Sequence, residues 1–129
     1  MAGTTWTTEQ KKAIDDRDKG IIVSAAAGSG KTTVLIERMI RLLSDEKNKI
    51  PADRLLAVTF TKEAASSMKE KLSRGFDEQL RSDPENKWLL SQQNLIQLAR
   101  ISTINSFCLD LVKNNLHAFD FQGGLDIVA

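Results

Sequence analysis

Between the apolar run Ile21-Ile22-Val23 and a helical pattern beginning at Lys31 lies the segment Ala25-Ala26-Ala27-Gly28-Ser29-Gly30-Lys31-Thr32, and no other stretch restricts the fold of this chain so tightly. It follows the phosphate-loop pattern, with Ala25 standing where glycine is usual. Gly28 and Gly30 let the backbone wrap closely around phosphate oxygens and aim successive N–H groups inward, and the helix that follows adds the positive end of its dipole. Lys31 reaches the terminal phosphates as a point charge, and the Thr32 hydroxyl is a ligand for Mg2+. The candidates for holding a nucleoside triphosphate are therefore Ala27, Gly28, Ser29, Gly30, Lys31, Thr32 and Thr33, with Lys31 and Thr32 the catalytic pair. With Ala or Gly allowed at the first position, ordinary residue frequencies give an accidental match in a chain this long about one time in a hundred. The bland alternative is a glycine-rich turn with a solvated lysine.

The surrounding pattern alternates strands with helices. Ile21 to Val23 is a short unbroken apolar run, as expected of a parallel strand buried on both faces. Leu35, Met39, Leu42 and Leu43 recur at helical spacing up to the polar stretch 44–49. After Pro51, Leu55 to Phe60 form a second apolar run with strand character. Thr61 stands at a helix N-cap with Glu63 in the first turn, and Ala65, Met68, Leu72 and Phe76 mark one face. Asp83-Pro84 breaks that helix. A further helical segment contains Trp88, Leu89, Leu95, Ile96 and Leu98, a third strand is expected at Ile101 to Ile104, and a last helix carries Phe107, Cys108, Leu111 and Val112 on one side. The expected fold is α/β, a parallel sheet flanked by helices. Phe119 to Ala129 has Gly123-Gly124 and an apolar tail without helical period, and reads as a cut end.

Composition excludes several classes. The chain has 129 residues, 41% hydrophobic and 27% charged, with apolar runs too short to cross a bilayer. One domain with a buried core fits this length. The N-terminus lacks a secretory pattern, and the single Cys108 offers neither an intrachain disulfide nor a zinc cluster, so a cytoplasmic location is expected. A formal net charge of +1 neither demands nor excludes a polyanionic partner, so any nucleic-acid reading must rest on local residues.

Four blocks, in order, resemble superfamily 1 DNA helicases of the UvrD/Rep type, and within them the N-terminal ATP-binding region of the AddA/RexA helicase-nucleases. The first, Trp6-Thr7-Thr8-Glu9-Gln10 with Ala13-Ile14, is similar to the family's Q motif, whose glutamine reads the adenine edge. The second runs from Ala25 to Thr33; alanine at its first position is common in this family. The third, Ala57-Val58-Thr59-Phe60-Thr61-Lys62-Glu63-Ala64-Ala65 with Met68, looks like motif Ia, a contact for single-stranded DNA. The fourth, Ile101 to Cys108, is similar to the family's Thr-Ile-His-Ser-Phe-Cys segment, with Asn105 in place of histidine. An amide still donates a hydrogen bond but carries no charge.

The resemblance implies ATP and Mg2+ as ligands, Gln10 at the adenine, and Thr59, Phe60, Thr61 and Asn105 at single-stranded DNA. It also implies a RecA-like domain cut before motif II, and for the parent protein a role in double-strand break repair with a partner of the AddB/RexB type. Taken by themselves, the residues leave alternatives open. An amide such as Gln10 can pair with adenine's N6 and N7 edge, but a glutamine in a polar turn is usually solvated. Phe60 at a strand's C-terminal end can stack on a base or simply pack in the core. Lys62 is a further phosphate candidate, and Arg38 could approach the nucleotide. Phe107 and Cys108 read as core, Trp88 as packing, and His117 as neither ligand nor base. Hydrolysis also needs a carboxylate pair and an arginine that are not recognisable here, since Asp126 lacks a preceding strand. A plain UvrD-type repair helicase, a small-molecule P-loop kinase and a non-catalytic nucleotide-binding module are the competing readings.

Overall fold

The structure is a computed structural model that describes residues 3–17, 20–24, 28 and 30–118. Five helices and two strands are formed among them: α1 (Thr8–Asp15), α2 (Lys31–Ser44), β1 (Leu56–Thr59), α3 (Lys62–Ser82), α4 (Lys87–Leu95), β2 (Arg100–Thr103) and α5 (Ile104–Asn114), with short 3-10 turns at Ala52–Arg54, Ile96–Leu98 and Leu116–Ala118.

Local chemistry sets most helix starts. Thr61 accepts from the Ala64 N–H at 3.1 Å, Asn86 from Leu89 at 3.0 Å and Thr103 from Ser106 at 3.1 Å, each satisfying a donor that the first turn leaves without an intrahelical partner. At α1 the cap is reciprocal: Thr7 accepts from the Gln10 N–H, and the Gln10 side chain accepts from the Thr7 N–H at 2.9 Å. The helix α2 differs, because its cap is Gly30 in the left-handed region, with no capping side-chain oxygen.

β1 and β2 pair in parallel, Leu56 opposite Arg100 through Thr59 opposite Thr103, so the fold is the expected α/β class with a small sheet. The chain between them, α3 and α4, is the crossover that parallel strands require. One continuous core joins α2 (Ile36, Met39, Ile40, Leu43), α3 (Met68, Leu72, Phe76), Leu89 of α4, and Ile96; Ala57 and Ile101 pack on it from the strands. Burying that many aliphatic side chains, at roughly 1.5–3 kcal/mol each, is the main term that holds the helices to the sheet. Along β1, Leu56 and Val58 point the other way and stay exposed.

Within the core sits one amide. Gln92 is fully buried, donates to the carbonyls of Leu43 (2.6 Å) and Ile50 (2.7 Å), and accepts from the Ala52 N–H (3.0 Å), so it fastens the segment that leads from α2 into β1. Trp88, a packing residue as expected, donates its indole N–H to the same Leu43 carbonyl at 2.9 Å.

Three expectations are corrected. Residues 21–23 form no strand, and Ile22 is 98% exposed. A strand exists only through a partner's hydrogen bonds, and here β1 and β2 pair with each other while residues 20–24 run outside their ladder. The last strand ends at Thr103, not Ile104, because Thr103 becomes the cap of α5. The expected core face of α5 is covered only in part: none of its residues is fully buried, Phe107 and Val112 are half-buried, and Cys108 and Leu111 are exposed.

Candidate nucleotide and DNA site

Two groups of candidate residues emerge, one where α1 meets α2 and one at the C-terminal end of the sheet. In the first, Gly28 has φ +80° and Gly30 has φ +81°. Both values lie where a Cβ is strained, so the loop's path into α2 depends on these two glycines. Lys31, Thr32 and Thr33 occupy the first turn of α2 that follows, with Lys31 and Thr32 exposed and Thr33 half-buried. Ala27 and Ser29 lie outside the described residues.

The Q-motif helix reaches the same place. A Cβ placed on Gly30 would lie 3.7 Å from Nε2 of Gln10, although twenty residues of chain separate the two. Thr7, Glu9, Gln10 and Ala13 from the first block share a cavity of about 300 Å³ with Val23, Ser24, Lys31 and Val34. An adjoining cavity of about 480 Å³ adds Ile21, Leu35 and Arg38 to the shared Ala13, Val23, Lys31 and Val34. Apolar walls with a few polar groups at the rim are what a base and its phosphates require of a site.

Arg38 lines the second cavity and at the same time reaches across to α1. Its Nη1 donates to the carbonyls of Ala13 (2.8 Å) and Asp16 (2.5 Å), so this arm of the guanidinium serves the C-terminal end of α1. The reason for these bonds is plain: the last carbonyls of a helix lack intrahelical donors and attract a cation. Arg41, one turn on, bonds Glu37 at 2.8 Å and Asp15 at 2.9 Å. Its pKa is raised above the ordinary arginine value, mainly by the Glu37 hydrogen bond, against the opposing effect of burial.

In the second group, the register that sets Thr59 against Thr103 brings the starts of α3 and α5 to one edge of the sheet. Thr59 donates its hydroxyl to the Thr61 carbonyl at 2.9 Å, folding residues 59–61 into a tight turn. Phe60 stands on that turn with 91% of its surface exposed. The described residues therefore offer it little packing. Lys62 and Asn105 are exposed in the first turns of α3 and α5. His117 lies exposed in the final 3-10 turn. Among the described residues, no three His, Cys, Asp or Glu side chains converge on a metal position.

Residues 6–129 match the UvrD/REP helicase N-terminal domain family. The chain belongs to that family. It is 51% identical over 120 residues to the A-type component of the ATP-dependent helicase/nuclease of Thermoanaerobacter sp. (strain X514), an overlap covering 93% of this chain and 10% of that protein. The protein of the same name from Clostridium beijerinckii is 47% identical over 122 residues, 95% of this chain and 10% of the relative, and that of Clostridium perfringens (strain 13 / Type A) is 46% identical over 125 residues, 97% and 10%. The chain thus spans about a tenth of the length of these relatives, within the helicase N-terminal domain.

Sequence reasoning missed the parts of the site that act at a distance. Gln92 had a readable signal, since it occupies the helical spacing between Leu89 and Ile96 on a face otherwise apolar. The Arg38 link to α1 had none.

Proposed function

We propose that this chain forms the ATP-phosphate-binding and single-stranded-DNA-contacting part of an ATP-dependent DNA helicase, the N-terminal part of a RecA-like domain. The observation that carries the proposal is the convergence of Gln10 and Lys31 on one cavity, beside a loop whose two glycines adopt the backbone geometry a phosphate cradle needs. Backbone N–H groups of the loop and the start of α2 hold the phosphates, the Lys31 ammonium neutralises their terminal charge, and Gln10 meets the adenine edge. The Thr32 hydroxyl supplies one oxygen to Mg2+, whose remaining positions belong to phosphate oxygens and water.

At the other edge, Phe60 stacks on an unpaired base while Thr59, Thr61, Lys62 and Asn105 meet the sugar-phosphate backbone, a sequence-independent mode suited to a motor that tracks any strand. The relatives' name, a helicase/nuclease subunit, supports a larger assembly in which a nuclease function and a further subunit join this motor; we infer that the partner is of the AddB/RexB type and that the assembly works in double-strand break repair, in the cytoplasm. By itself the chain binds without turnover, because neither the carboxylate pair that orients the attacking water nor an arginine aimed at the γ-phosphate is recognisable in it.

Calorimetric titration of the 129-residue chain with Mg-ATP tests the reading. Binding is expected, and Lys31→Ala is expected to weaken it at least about tenfold, the factor for one lost charge-assisted hydrogen bond. An unchanged affinity in Lys31→Ala, or DNA-stimulated hydrolysis by the unaltered chain that this variant abolishes, would refute the binding scheme in the first case and the absence of turnover in the second.

A further inference from the structure

α1 has only eight residues, well below the roughly 12–15 at which an isolated helix becomes even marginally stable in water. One of its residues, Ile14, is buried. The Gln10 amide itself is held locally, its Oε1 accepting from the Thr7 N–H; where the helix carries that capped amide is set by tertiary ties, several of which gather at the opposite end of α1. Arg38 Nη1 holds the carbonyls of Ala13 and Asp16, Arg17 Nη1 holds that of Ile14 at 2.7 Å, and Arg41 pairs with Asp15. Of these, only the two Arg38 bonds are half-buried and also cross from α2 to α1. Arg38 stands seven residues after Lys31, two helical turns along the same face of α2. One rigid helix thus carries the phosphate-binding ammonium at its first turn and the anchor of the Q-motif helix two turns below.

We propose that Arg38 is a positioning residue for base recognition: by fastening the C-terminal end of α1 to α2, it sets Gln10 at the phosphate loop and couples adenine selection to phosphate binding. The inference rests on the nucleotide-binding reading above. It assigns Arg38, whose Nη1 is engaged by the α1 carbonyls, no phosphate contact, so that its loss is expected to act on the base alone.

The test uses the 129-residue chain and three probes, Mg-ATP, Mg-GTP and Mg-tripolyphosphate, with circular dichroism as a check on folding. Arg38→Ala is expected to weaken Mg-ATP about tenfold and to leave Mg-tripolyphosphate unchanged, so that the preference for ATP over GTP collapses to the value shown by Gln10→Ala. Because Arg38 acts through Gln10, the double variant Gln10→Ala/Arg38→Ala is expected to be no weaker than Gln10→Ala. Arg38→Lys, whose ammonium can donate to the same carbonyls, restores most of the preference. If Arg38→Ala does not fold, Arg38→Gln decides in its place, with a drop in the ATP-over-GTP ratio of about threefold expected from the loss of one aligned donor. An unchanged ratio in the folded variant, additive losses in the double variant, or an equal loss of tripolyphosphate affinity overturns the inference. Failure of the unaltered chain to bind either ATP or tripolyphosphate overturns the nucleotide-binding reading itself, and this inference with it.

Discussion

Two phenylalanines of this chain sit at opposite extremes, and the contrast lets DNA contact be separated from fold. Phe76 is fully buried among α2, α3 and α4, whereas Phe60 has 91% of its surface exposed. A phenylalanine offers about 200 Å² to burial. With under a tenth of that covered, Phe60→Ala forfeits on the order of 20 Å² of apolar contact, or about 0.5 kcal/mol at 25 cal/mol per Å². For a domain of this size, that corresponds to a shift in melting temperature of about 2 °C. Stacking on one unpaired base is worth about 1–3 kcal/mol, so the same substitution should weaken binding of a single-stranded oligonucleotide by roughly 5- to 150-fold. Phe76→Ala reverses the pattern, costing about 3–5 kcal/mol of stability and touching DNA affinity only through unfolding. The assay is fluorescence anisotropy with a labelled poly-dT oligonucleotide at fixed salt, beside a thermal melt of each variant. If Phe60→Ala binds the oligonucleotide as tightly as the unaltered chain, or if it melts more than about 5 °C lower, Phe60 is not a stacking platform.

Two further outcomes concern the frame that presents these sites. Gln92→Met conserves volume but strips the Ile50 carbonyl and the Ala52 N–H of their partner, and should cost about 2–5 kcal/mol in urea unfolding; because Trp88 still serves the Leu43 carbonyl, adding Trp88→Phe should cost more than the two single changes summed. At Gly75, a Cβ would lie 2.2 Å from Cδ1 and 3.0 Å from Cγ1 of buried Ile40, so overpacking of about 1–3 kcal/mol outweighs the roughly 1 kcal/mol that alanine gains in a helix. Gly75→Ala should therefore lower the urea midpoint in the unaltered chain and raise it in an Ile40→Val background, and equal shifts in both would remove Ile40 as the cause.

What the sequence made legible was whatever depends on a few consecutive residues. Thr61 and Thr103 cap the helices that follow them, Asp83-Pro84 ends α3, and Gly28 and Gly30 take the left-handed backbone, because each is decided by chemistry within about four positions. Illegible were the features decided between distant segments. The apolar run at 21–23 has the composition of a strand, yet a strand is a relation between two segments, and the described ladder holds only β1 and β2. Likewise, the spacing of Phe107, Cys108 and Leu111 says that they share a side of α5; whether anything covers that side is a property of the neighbours. Phe60 shows the same ambiguity resolved in the other direction: it closes an apolar run, and only the turn made by Thr59 and Thr61 decides that its ring faces solvent.

The candidate site divides along the same line. Its phosphate half is local, contained in residues 28–33, and could be read from spacing and residue type. The base half is tertiary, because Gln10 becomes meaningful only where it lies beside Gly30, and family resemblance supplied that proximity before geometry did. Arg38 belongs wholly to the second kind, since its bonds to Ala13 and Asp16 cross more than twenty residues and leave no mark in composition or periodicity. A helix too short to orient itself must borrow its orientation from a longer one, and α2 is the longer helix that also begins at the phosphate loop. On the reading proposed above, base selection and phosphate binding share one rigid element, α2, which begins at the phosphate loop and carries Arg38 two turns on.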